Sequence, residues 1–157
     1  MGYHLQAVLA KAEALNHPAL RRGPRKIVHL AQGVDMLLVT DVWLASLLPA
    51  REAEPALQGN SFLKLTDALA EAARLASASG IVTYVEAAMD GGSGEQRLVV
   101  WLRGKLVDGP LAGNCELINS ALGWLDVVRG PTGDQFTTVG LDAHRRMEEW
   151  LAVARDE

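Results

Sequence analysis

The chain has 157 residues and a mass of 16.9 kDa, of which 49% are hydrophobic and 22% charged. Fifteen Lys and Arg stand against nineteen Asp and Glu, a net charge of −4. This composition excludes a disordered, collagen-like or disulfide-scaffold chain, and its acidity argues against generic nucleic-acid binding.

The length fits a single domain, 1–157, with room for a substantial core. The charge is unevenly spread: residues 1–59 carry +1 and residues 60–157 carry −5. One cysteine, Cys115, rules out an internal disulfide. The N-terminal residues lack the basic region of a signal peptide, and no stretch reaches the roughly 20 apolar residues that span a bilayer. The expected location is the cytoplasm, with no membrane partner.

In chain order, Tyr3–Leu9 predicts a strand, and Lys11–Leu20 a short helix stopped by Asn16-His17-Pro18 or Gly23-Pro24. Ile27–Leu30 and Met36–Val39 predict a hairpin around Gly33, and Thr40 or Asp41 caps a helix that Pro49 ends. Residues 51–60 read as a surface loop. Thr66 caps the clearest helix, with Leu65, Leu69, Ala72 and Ala76 on one face and Gly80 as a left-handed stop. Ile81–Ala88 and Gln96–Arg103 are the strongest strands, joined across Asp90–Glu95; Leu98–Leu102 is apolar on both faces. Arg103-Gly104-Lys105 predicts a second tight turn. Ile118, Ala121, Leu122 and Leu125 share one helix face, as do Met147, Trp150, Leu151 and Ala154 in the last helix. The sum is α+β: a mainly antiparallel sheet built from hairpins, with about five helices packed against it.

The chemistry is sparse. Gly91-Gly92-Ser93-Gly94 leads into a strand and is flanked by Asp90 and Glu95, whereas a phosphate loop needs a following helix. Ser93 has no nucleophile elbow around it. His4, His17, His29 and His144 lack metal-ligand spacing, so no metal and no cofactor is expected. Cys115 stands near a helix start, where a thiolate is favoured, and reads as a small buried residue or as a nucleophile. Glu86, Asp90 and Glu95 flank one hairpin as an acidic rim. Trp124 falls off the Ile118 stripe, which makes it a candidate interface anchor. Arg21, Arg22, Arg25 and Lys26 surround Gly23-Pro24 as a solvated turn or a small anion-binding patch.

Residues 81–151 carry a pattern: Gly91-Gly92-Ser93-Gly94-Glu95-Gln96, Val99-Val100-Trp101, Gly109-Pro110, Ile118-Asn119-Ser120-Ala121-Leu122, then Asp134-Gln135-Phe136, Gly140-Leu141, His144-Arg145 and Glu148-Glu149-Trp150. It resembles a family of small, largely uncharacterised bacterial proteins, itself similar to immunity-type proteins that neutralise toxins. Gln135 stands where that pattern leads one to expect an acidic residue. The resemblance implies a protein-interaction module of immunity type that acts by stoichiometric binding, and the acidity of residues 60–157 with the absence of catalytic motifs adds the expectation of a basic partner and no catalysis. Its candidate interaction residues are Glu86, Asp90, Glu95, Trp124, Asp134, His144 and Arg145. The alternative is a small-molecule binder or enzyme with a pocket near Cys115, His144 and Arg145. A third expectation is a homodimer in which the Trp101 strand packs across subunits.

Overall fold

Strands that are apolar on both faces need cover on both sides, and this chain supplies it with helices drawn from its two halves. The computed structural model describes residues 2–51, 54–90, 93–113 and 116–157. Among them, seven strands form one wholly antiparallel sheet in the order β6-β5-β4-β1-β3-β2-β7. With six α-helices, the fold is α+β. β1 (Gly2–Lys11) lies at the middle, between β4 (Val82–Asp90) and β3 (Val34–Leu38). Alternation along the strands sorts the core into two layers. Val8, Ala10, Leu37, Val82, Tyr84, Val99 and Trp101 face the first, covered by α1 (Ala12–Leu15), α2 (Asp41–Ala45) and α3 (Asp67–Ala76). Leu5, Ala7, Leu9, Met36, Val85, Leu98 and Val100 face the second, covered by α4 (Leu117–Trp124), α5 (Gln135–Val139) and α6 (Met147–Val153).

The helices are shorter than their apolar patterns. α1 is one turn and ends at the first of its two expected stops, because Asn16 and Pro18 divert the chain into turns and the Ala19 amide donates to His17 Nδ1 at 3.0 Å. α2 begins as expected, with Thr40 Oγ1 accepting from Trp43 N at 3.1 Å. It stops at Ser46, whose hydroxyl donates back to the Trp43 carbonyl at 2.6 Å. Thr66 caps α3 through Leu69 N at 3.1 Å. Gly80 is not the left-handed stop expected of it. A 3-10 turn over Ser77–Ser79 intervenes, and Gly80 ends it at φ +149°, ψ 180°, a positive-φ conformation suited to glycine but outside the left-handed helical region.

The strands, by contrast, run longer. β4 pairs with β5 (Ser93–Leu102) out to Asp90 opposite Ser93, so the expected Asp90–Glu95 loop is mostly ladder. Gly94 makes this possible: a Cβ there would lie 2.2 Å from the Ala88 carbonyl oxygen, at φ +140°. The glycine-rich stretch thus serves close strand pairing at Gly94, while Gly91 and Gly92 lie outside the described residues. Arg103 and Gly104, both at positive φ, form the turn to β6 (Lys105–Gly113). β6 is an edge strand whose register shifts near Gly109, and it carries Pro110, two features that discourage edge-to-edge pairing. Trp101 is 1% exposed, and β5 is flanked by strands on both sides. The expected route to a dimer through Trp101 is therefore closed by the chain's own helices.

The far edge holds an element not anticipated from the sequence. β7 (Arg155–Asp156) pairs with β2 (Lys26–His29), and side chains clamp it there. Lys26 pairs with Asp156, and His29 bonds Asp35 at 2.7 Å and Glu157 at 2.8 Å. Arg25 is 3% exposed. It donates to the Leu15 carbonyl at 2.7 Å, Asn16 Oδ1 at 3.0 Å and the Glu157 carbonyl at 3.0 Å, and burial pulls its guanidinium below the usual range. Hydrogen bonds to Asp35 and then Glu157 raise the His29 imidazole above its ordinary value of 6.5. A raised value in the folded state stabilises the clamp fully below pH 6.5, and the gain is lost as pH rises through the raised value. The protection factors of the β7 amides, with the intrinsic base-catalysed exchange rate divided out, should therefore be highest in mild acid and fall toward alkaline pH. In His29→Gln that dependence should be absent.

Candidate functional site

β3 pairs with β1 only from Ala7 to Lys11, so the first residues of β1 keep one free edge. The C-terminal half of the chain fills that space. The Arg145 carbonyl accepts from His4 N at 2.8 Å, and the Tyr3 hydroxyl donates to the Leu141 carbonyl at 2.8 Å. Tyr3 meets Phe136 edge-on with ring centres 5.2 Å apart. Burial raises the Tyr3 hydroxyl above its ordinary value, and the nearby Asp142 charge adds to the shift. The hydroxyl thus stays protonated as a donor.

Three polar side chains fix the walls. Gln96 Oε1 accepts from Ile118 N at 3.0 Å at the start of α4, a cap delivered from the neighbouring strand. Asn119 Oδ1 accepts from Phe136 N at 2.8 Å, and its amide donates to Asp134 Oδ2 at 2.9 Å. Asp134 caps α5 by accepting from Thr137 N at 3.0 Å. The Asn119 hydrogen bond, then that of the Thr137 amide, holds the Asp134 carboxyl below the usual carboxylate range. Between these walls lies an open cleft of about 340 Å³. Its apolar lining is Tyr3, Met89, Ile118 and Phe136; its charged lining is Glu116, Asp134 and Asp142 against one Arg145.

The structure divides the residues singled out from the sequence. Asp134 and Arg145 share the cleft. By the alternation of β4, Glu86 and Asp90 lie on the opposite face, with Glu95 across from Ala88. Glu86 is 1% exposed and cannot belong to a surface rim. Its Oε1 accepts from Leu63 N at 2.8 Å, and its Oε2 from Lys64 N at 2.8 Å and the Tyr84 hydroxyl at 2.5 Å. Burial, then the Glu86 charge, raises the Tyr84 hydroxyl far above its ordinary value. Asp90 is exposed and meets His4 Nε2 at 3.0 Å; Glu95 pairs with Arg97 at 2.8 Å. Trp124 is half-buried, with its Nε1 donating to Asp108 Oδ2 at 3.2 Å. His144 stacks edge-on against Trp150 at 4.8 Å and opens on a separate depression beside β2. The pocket expected near Cys115, His144 and Arg145 is thus split between two places for the latter two, and Cys115 lies outside the described residues.

The cleft residues missed from sequence are Tyr3, Met89, Gln96, Glu116, Asn119, Phe136 and Asp142. Of these, Gln96, Asn119 and Phe136 belong to the pattern described for residues 81–151, as do the lining residues Ile118, Asp134 and Arg145. Among the described residues, no group of three or more His, Cys, Asp or Glu is placed to hold a metal ion. No described helix is long and apolar enough to cross a membrane. No family model, curated protein or solved structure matches the chain.

Substitutions at two positions test these assignments. Glu86→Ala leaves two loop amides and the Tyr84 hydroxyl without their acceptor and should cost about 2–4 kcal/mol in denaturant unfolding. Asp134→Ala should cost about 1 kcal/mol at neutral pH, and Asp134→Asn less. Because the Asp134 carboxyl is lowered in the folded state, the wild-type advantage over Asp134→Asn should persist above the ordinary value of 3.8. It should vanish as pH falls through the lowered one.

Proposed function

We propose that this protein is a protein-interaction module of immunity type, which binds a basic partner stoichiometrically and performs no chemistry. The observation that carries the reading is the convergence of the quoted pattern on one acidic cleft. Residues from a β-strand, two helices and the segment before α6 meet there, although they are spread from Gln96 to Arg145. The cleft combines three carboxylates with an aromatic pair, a setting that suits a lysine or arginine side chain. The cation finds carboxylates at the rim and the rings of Tyr3 and Phe136 in the lining. Its walls are fixed by internal hydrogen bonds, which reduces the ordering cost of association.

The family resemblance supplies the class of partner, a toxin, and the acidity of residues 60–157 supplies its expected charge. The test uses the purified protein and the purified basic product of an adjacent gene in a calorimetric titration. A one-to-one complex is expected, with affinity falling as salt is raised. Asp142→Lys, which reverses one exposed charge of the cleft, should weaken it by about tenfold or more. If no product of a neighbouring gene binds, the reading is wrong. If one binds and Asp142→Lys leaves the affinity unchanged, the cleft is not the interface.

A further inference from the structure

On the other side of the sheet, the four basic residues around Gly23-Pro24 part company. Arg25 is spent on holding α1 and the C-terminal residues, and Lys26 pairs with Asp156. Arg22 turns instead toward residues distant in sequence. Its Nε donates to the Ser46 carbonyl at 3.0 Å, and its two terminal nitrogens have no acceptor among the described residues. Arg22 lines a groove of about 330 Å³ formed by residues 19–22, residues 48–51 and the outer side of α3. Arg51 and Arg74 line the same groove. Arg74 is engaged by Glu71, the one acid among the described lining residues. Arg51 has no ion-pair partner among the described residues, so among them the guanidinium groups of Arg22 and Arg51 face one groove without a paired carboxylate.

The rest of the lining is apolar. Leu48 is 63% exposed and Leu75 44% exposed, and Ala19, Pro49 and Ala72 complete the walls. Leaving two leucines open to water forgoes the gain of burying them. A guanidinium with free N–H groups is a fork matched to a carboxylate. A bare inorganic anion would gain nothing from the leucines, and a neutral hydrocarbon nothing from the arginines. We propose that the groove binds a small amphipathic anion: an aliphatic carboxylate whose head is held by Arg22 and Arg51 and whose chain covers Leu48 and Leu75. The volume of this open groove lies at the lower end of the range for small-molecule sites. The acidic cleft lies on the opposite face, so this site stands independently of partner binding.

Octanoate is the probe, titrated into the full chain and followed by amide chemical shifts and calorimetry. Saturable one-to-one binding is expected, with the largest shifts at Ala19, Ala72 and Leu75. Acetate, which lacks the chain, and octyltrimethylammonium, which reverses the charge, should bind much more weakly. Arg51→Gln should weaken octanoate about tenfold or more while leaving the unfolding temperature unchanged, since the side chain is exposed. Arg22→Lys keeps a charge but loses the fork and should weaken binding by less. The proposal is overturned if octyltrimethylammonium binds as tightly as octanoate, if acetate does, if the shifts map elsewhere, or if Arg51→Gln binds as the wild type does. Preference for an acidic peptide over octanoate would overturn it as well.

Discussion

A strand enclosed on both faces must be apolar on both, and β1 is where this requirement bears hardest. Leu5, Ala7, Val8, Leu9 and Ala10 are all fully buried, alternately serving the two core layers. Every other part of the molecule is arranged relative to this strand. β4 pairs along nearly its whole length, β3 along its second half, and the two sets of helices close over the residues it presents on either side. A polar residue at Val8 or Leu9 would be enclosed without a partner, the kind of change that cores tolerate least.

The site follows from where that pairing stops. β3 leaves the first residues of β1 with an open edge, and the segment before α6 closes it by main-chain hydrogen bonding at His4. The cleft is the space left between this segment, the end of the β4–β5 hairpin and the starts of α4 and α5. Its acidic character arises from three residues on three separate segments, while the acids of the hairpin itself lie on the other face. Period-two alternation decides this: in β4, Met89 lines the cleft, and Glu86 and Asp90 do not.

This explains what could be read from the sequence and what could not. The hairpins, the caps at Thr40 and Thr66, and the two-sided apolar run of β5 are local signals, and each corresponds to a structural element. The fold class follows from them. Apolar spacing alone runs α2 on to Pro49, past Ser46, whose hydroxyl bonds the local backbone and ends the helix, whereas the stop at Asn16 and Pro18 is visible in the sequence. β7 is two residues long and has no pattern of its own; it exists because Lys26, His29 and Arg25 hold it. The site was half legible. Asp134 and Arg145 stood out as charged residues in a recognisable segment. Tyr3 and Gln96 looked like ordinary strand residues, because their role depends on a packing partner more than twenty positions away. Glu86 looked like a surface acid because nothing local announces that Leu63 and Lys64 turn their amides toward it.

The two-layer arrangement also separates charge. Three carboxylates and one guanidinium line the cleft on one face, and three guanidiniums and one carboxylate line the groove on the other. Between them lie the sheet and its two largely apolar core layers, through which the opposing charges are screened less than through solvent. The two linings therefore contribute a dipole along the thickness of the sheet. An incoming ion would sense that polarity before touching either surface, and turn the molecule accordingly; at high ionic strength the orientation would be lost.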